Sequence, residues 1–180
     1  MSAPTTTAPP KQPTKSDIAV LQFAHGIELA MTALYTKASA AAGKDLKTVF
    51  SLFGGHHLAQ AQALAGLLGR SSATTQNASF YTAFITAASS GSDTELAGTF
   101  LSLENSLVKT HLGVLGTITG TDGAQLVASI IPVQGRHAAV LAGLLAKKAS
   151  ATFSTMTQNH STPRPTRRRT PLLRTHHERE

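Results

Sequence analysis

Two glutamates, Glu28 and Glu104, stand in the middle of apolar stripes where leucines would be expected. Around Glu28 the stripe reads Leu21, Ala24, Met31, Tyr35 and Ala38; around Glu104 it reads Ala97, Leu101, Leu107, Leu115 and Ile118, with His111 seven residues further on. Steps of three and four residues mark the core-facing side of a helix. A lone carboxylate on that side is costly unless something pairs with it or coordinates it. Two further stripes supply partners at an i, i+3 spacing: His57 with Gln60, and Gln134 with His137. A carboxylate from each of two helices, with an i, i+3 polar pair from each of two others, is the layout of a metal site in a bundle core. Glutamate offers hard oxygen and neutral imidazole offers nitrogen, a mixture suited to one divalent ion such as iron, manganese or zinc. The same residues also suit a buried hydrogen-bonded network without metal.

Four long helices are needed to position these groups. The first is read from Asp17 to Ala42, with Ser16 and Asp17 as its cap signal and Gly43 as its stop. The second runs from Asp45 to Leu68. Gly54 and Gly55 inside it lower helix propensity by about 1 kcal/mol each relative to alanine, which suits a close helix contact. Residues 70–91 read as a long connection holding one or two helical turns around Phe80, Tyr81, Phe84 and Ile85. The third helix starts at the Ser92–Glu95 capping box and ends near Gly120. The fourth covers Asp122 to Lys148, with a kink expected near Pro132.

The two helix pairs are a weak internal duplication. Glu28 and Tyr35 match Glu104 and His111 at an offset of 76, while His57 and Gln60 match Gln134 and His137 at 77. One duplication is too few copies for a solenoid, so the expected fold is all-α, an up-down four-helix bundle of two hairpins. The interrupting residues lie near the helix midpoints, which meet at one level in an antiparallel bundle. Glu28, His57, Glu104 and Gln134 then converge, with Gln60 and His137 one turn away.

The runs Leu21-Gln22-Phe23-Ala24-His25-Gly26-Ile27-Glu28, Phe53-Gly54-Gly55-His56-His57, Leu103-Glu104-Asn105 and Ile130-Ile131-Pro132-Val133-Gln134-Gly135-Arg136-His137 resemble the ferritin-like domain proteins common in actinobacteria. The resemblance spans about residues 17–147. It implies a di-iron carboxylate centre with one glutamate on each of helices 1 and 3 and Glu-x-x-His on helices 2 and 4. Glu28, Glu104 and His137 keep that pattern. His57 and Gln134 stand where bridging glutamates belong, and Gln60 where a histidine belongs. Two dications would then face only two carboxylates, so at most one ion is expected, held by Glu28, His57, Glu104 and His137 in a degenerate site. His25, Tyr35 and His111 are candidates to hydrogen-bond those ligands from outside. His56 and Arg136 read as solvent-facing.

Composition narrows the remaining possibilities. The chain has 180 residues, no cysteine and 14% charged residues, which excludes disulfides and zinc–thiolate chemistry and favours close-packed helices. The formal charge of +7 is concentrated at the ends: residues 16–160 hold eight basic and seven acidic groups, whereas residues 161–180 hold six arginines and two glutamates. Residues 1–15 and 151–180 are expected to be disordered flanks of a domain at 16–150. The basic tail suits salt-dependent contact with nucleic acid or another acidic surface. A homo-oligomer is compatible with the sequence. No continuous apolar run of about 18 residues and no signal peptide is seen, so the expected location is the cytoplasm, with no membrane span. No phosphate loop, nucleophile elbow or His-Glu-x-x-His motif occurs. A metal-free scaffold that binds a partner through its surface or tails is the competing functional reading.

Overall fold

The computed structural model describes residues 7–160, with side chains through residue 151. The described residues are helical with no strand: α1 is Lys15–Ala41, α2 Lys44–Leu68, α3 Ala78–Ser89, α4 Asp93–Leu115 and α5 Thr121–His160, with one 3-10 turn at Gly69–Ser71. The hairpins α1–α2 and α4–α5 are the two closely packed pairs, and they face each other across the core. This is the expected all-α ferritin-like bundle.

Local chemistry sets the helix ends. Ser92 and Glu95 form the capping box of α4, as the sequence indicates: the Ser92 amide donates to Glu95 Oε2 at 2.7 Å. The cap of α1 differs from the expectation. It is Thr14, whose hydroxyl accepts from the Asp17 amide, while the Asp17 carboxylate accepts from the Thr14 amide at 2.8 Å. Asp17 is drawn into the bundle because Thr119 and Gly120, in the turn between α4 and α5, donate their amides to it at 3.0 and 2.9 Å. These hydrogen bonds outweigh the opposing effect of burial and hold the Asp17 pKa at about 2.

Residues 10 and 11, expected to belong to a disordered flank, bond to the bundle through their backbone. The carbonyls of Pro10 and Lys11 accept from the Thr121 and Asp122 amides, each at 3.0 Å, satisfying two of the unpaired donors that every helix N-terminus carries. Polar, proline-rich residues 10–14 therefore lie against the start of α5. A Cβ at Gly120 would stand 2.6 Å from the Gln12 carbonyl oxygen, so glycine is required there. At the other end α5 runs on to His160, so residues 151–160, read as tail, are helical. Pro132 lies inside that helix. Residues 1–6 and 161–180, including the Arg167-Arg168-Arg169 triplet, lie outside the described residues.

The connection after α2 contains a full helix rather than one or two turns. Asn77 caps α3 by accepting from the Phe80 amide, and its own amide donates to the Gly26 carbonyl at 2.8 Å, tying α3 to α1. Phe80, Tyr81, Phe84 and Ile85 then pack on the core.

The core is two apolar clusters. One gathers Met31, Leu34, Tyr35, Phe50, Phe53, Phe100, Leu107 and Leu141 among others; the second holds Leu21, Ala24, Leu64, Leu68, Val114, Val127 and Ile130. Buried polar residues interrupt the same helix faces. The helices α1 and α2 approach closely at Gly54, where a Cβ would stand 3.1 Å from that of Tyr35. By length and composition α1 and the Thr121–Ala151 part of α5 are apolar enough to cross a membrane, although polar residues break every continuous apolar run. In the bundle the apolar face of α1 is turned onto the core.

Candidate metal centre

The four helix midpoints bring Glu28, His57, Glu104, His111, Gln134 and His137 into one buried layer in which no residue is more than 2% exposed. Glu104 is its hub. Its Oε1 accepts from the Tyr35 hydroxyl at 2.5 Å and stands 3.1 Å from both His57 Nε2 and His137 Nδ1. Its Oε2 is buried with no partner in the protein. The other nitrogen of His57, Nδ1, meets Glu28 Oε2 at 2.6 Å. Glu28 Oε1 accepts from the Gln134 side-chain amide at 2.9 Å and lies 3.2 Å from His111 Nε2, whose ring presents Nδ1 to the Leu107 carbonyl.

Both nitrogens of His57 thus face carboxylate oxygens, an arrangement that calls for an N–H on each and so for an imidazolium. Burial alone pushes its pKa down, but Glu28 and Glu104 overcome this and raise it to about 10. For Glu104 burial pushes the pKa up, and hydrogen bonds from His137 and His57 reverse the effect, holding it near 2. Burial, then the adjacent Glu104 charge, raises the Tyr35 pKa, so the phenol keeps its proton and donates. The outcome is a buried ion pair, with one bridging cation shared by two carboxylates.

Every residue singled out from the sequence can be placed. Glu28, His57, Glu104, His137, Tyr35, His111 and Gln134 share the layer. Gln60, one turn along α2, is buried with its Oε1 unpaired. His25 turns away: it is buried, and its Nδ1 accepts the Ala73 amide at 3.0 Å, fastening the segment after the 3-10 turn. His56, read as solvent-facing, is half-buried at the seam between α2 and α5, with Nδ1 2.9 Å from His137 Nε2. Adjacency to His57 had argued against it, because neighbouring helical residues point about 100° apart. At a seam between two helices, however, both directions can meet the same opposing residue. Arg136 is exposed, as expected.

Ligand atoms from His57, Glu104 and His137 lie within 4.8 Å of one another, a separation from which they can close on one ion. The unpaired Glu104 Oε2 strengthens the fit, since leaving a buried acceptor unsatisfied costs about 1–3 kcal/mol, more when it is charged. Glu28 then orients His57 from its far side, the carboxylate–histidine support usual for metal-binding imidazoles. Three protein ligands leave room for a further one.

No curated protein and no solved structure gives a significant match to this chain. A ferritin-like domain profile does match, over residues 16–147, the stretch holding α1 to α4, most of α5 and all of the polar layer. The chain belongs to the ferritin-like domain family.

Proposed function

We propose that this protein binds a single divalent transition-metal ion, iron, manganese or zinc, through His57 Nε2, Glu104 and His137 Nδ1. The observation that carries the reading is the convergence of the two imidazole nitrogens on Glu104 while its Oε2 has no partner. Charge supports it as well. Glu28 and Glu104 together bring two negative charges to a layer where His57 supplies one bridging positive charge. Exchange of the inner proton of His57 for a dication balances both carboxylates. The site is a degenerate form of a di-iron centre, because Gln134 and His57 provide no bridging carboxylate for a second ion. A bound ion would supply Lewis-acid or one-electron chemistry. The protein's own part is to exclude water, to orient His57 through Glu28 and to hold Glu104 through Tyr35. Metal handling or residual oxidase activity is the function this reading implies.

The test is elemental analysis of the untagged chain beside a Glu104→Ala, His137→Ala variant. Near-stoichiometric metal that disappears in the variant is the expected result. Absence of metal after anaerobic reconstitution with iron, manganese and zinc refutes the reading.

One observation favours a second reading. His57 already bridges both carboxylates, so the layer can also stand as a metal-free ion-pair network in a helical scaffold that acts through its surface, as a homo-oligomer or through its tail. Contact between residues 161–180 and nucleic acid would appear as salt-sensitive DNA retention that is lost when they are deleted.

A further inference from the structure

The His56–His137 contact has an unusual geometry. The ring planes differ by 9°, the centroids are 5.1 Å apart, and His56 Nδ1 lies 2.9 Å from His137 Nε2. A centroid separation so much larger than the nitrogen separation means that the rings meet end to end in nearly one plane rather than face to face. Face-to-face packing on His137 comes from Phe53, at 3.9 Å and 17°. His137 is therefore clamped by a ring on its face and by a hydrogen bond along its edge. Among the described residues, this is the only hydrogen bond to the three converging residues that comes from a side chain reaching solvent.

The direction of that bond decides what His137 can do. In the neutral tautomer of His137 that donates from Nδ1 to Glu104 Oε1, Nε2 is the acceptor and His56 must donate from Nδ1. For Nδ1 to hold an ion, the ring's proton must sit on Nε2, and the neighbour there must accept. Imidazole can reverse its role without changing charge, because moving its own N–H to Nε2 frees Nδ1 as an acceptor. Lysine or arginine in its place could only donate, and would fix His137 in the form that cannot bind.

Resting on the single-ion reading above, we infer that His56 is the positioning residue of the centre. By switching from donor to acceptor it turns the Nδ1 lone pair of His137 toward the ion, as Glu28 does for His57. His56 does not touch the ion itself. On loading, the proton on His137 Nδ1 leaves, Nε2 takes the proton that His56 held at Nδ1, and His56 takes up one proton from solvent at its outer nitrogen. The two rings together lose one proton and gain one, so the count of ring protons is unchanged.

The test uses zinc alone as the probe, with affinity read by competition against a chromophoric chelator and ring protons read by nitrogen-15 NMR of histidine-labelled protein. His56→Leu should weaken zinc binding about 10- to 100-fold, the usual effect of removing such a partner. His56→Gln, which can accept through its carbonyl, should stay within about threefold of the native chain. The native His137 signal should change from the Nδ1–H to the Nε2–H form on loading, with His56 showing no direct bond to zinc. Equal zinc affinity in His56→Leu, or a zinc-loaded His137 that keeps its Nδ1 proton, overturns the inference. Failure of the native chain to take up zinc overturns the inference and, where the elemental analysis also finds no iron or manganese, refutes the metal centre itself, whereas zinc uptake indifferent to residue 56 refutes only the role given to His56.

Discussion

Removal of one oxygen tests whether Glu104 is a buried anion held by its neighbours. Tyr35→Phe deletes the hydroxyl that donates to Glu104 Oε1 at 2.5 Å and leaves the ring among Phe50, Phe53, Phe100 and His57, at centroid distances of 5.5, 6.0, 4.3 and 5.3 Å. Apolar packing is therefore nearly unchanged, and the loss is that of one hydrogen bond to a charged, buried acceptor, about 1.5–3 kcal/mol. Glu104 Oε1 keeps His57 and His137, so a value of about 2 kcal/mol is expected, equivalent to a thermal midpoint roughly 4–8 °C lower for a domain of this size. Urea unfolding of the metal-free protein at pH 6 measures it directly, provided the denaturant slope is unchanged. Repeating the substitution in a Glu104→Gln background isolates the charge: a neutral acceptor reduces the loss to about 1 kcal/mol, leaving a coupling energy of about 1 kcal/mol. A loss below about 0.5 kcal/mol in the native background, or no coupling, would mean that Glu104 is not the charged acceptor described above.

The ion pair also fixes a pH window. The folded pKa of His57, about 10 against an ordinary 6.5, makes its stabilisation complete below pH 6.5 and progressively lost as pH rises toward 10. Glu104, at about 2 against 4.5, and Asp17, at about 2 against 3.8, contribute fully above their ordinary values and lose that contribution as pH falls toward 2. Metal-free protein should therefore be most stable between about pH 4.5 and 6.5, and urea midpoints that stay flat from pH 6 to 10 would refute the imidazolium. Gly120→Ala should cost about 1–3 kcal/mol by driving a Cβ into the Gln12 carbonyl, and deletion of residues 1–13 should abolish most of that difference in the same unfolding assay.

Glu28, Glu104, His57 and His137 could be found from the sequence because each breaks an apolar stripe near a helix midpoint, and stripes of period 3.6 fix which side of a helix is buried. What escaped depends on chain segments that stripes do not describe. His56 belongs to no stripe; its partner is set by how closely α2 and α5 approach, which no single-helix pattern encodes. The length of α3 was hidden because its ends are rich in serine and threonine, and its N-terminus is secured by Asn77 bonding to Gly26, a contact 51 residues apart in sequence. Composition labelled residues 10–14 as disordered, yet their backbone carbonyls are acceptors whatever the side chains are, and the start of α5 had donors to offer. Asp17 read as a cap signal because aspartate does cap helices. Only the fold brings the Thr119 and Gly120 amides to it and makes it a buried link.

The polar layer has a further consequence for which arrangement of the helices is allowed. Leucine and alanine seams can slide past one another by one turn, about 5.4 Å, with modest loss, since one apolar side chain resembles the next. With Glu28, His57, Glu104 and His137 at the midplane, the same slip would bury carboxylates against leucine and leave imidazoles unpaired. Only one alignment of the four helices keeps the carboxylates facing the imidazoles, so the layer serves as a key that selects a unique bundle. That service does not depend on an ion, and a chain that had ceased to hold metal would still be penalised for losing these four side chains one at a time.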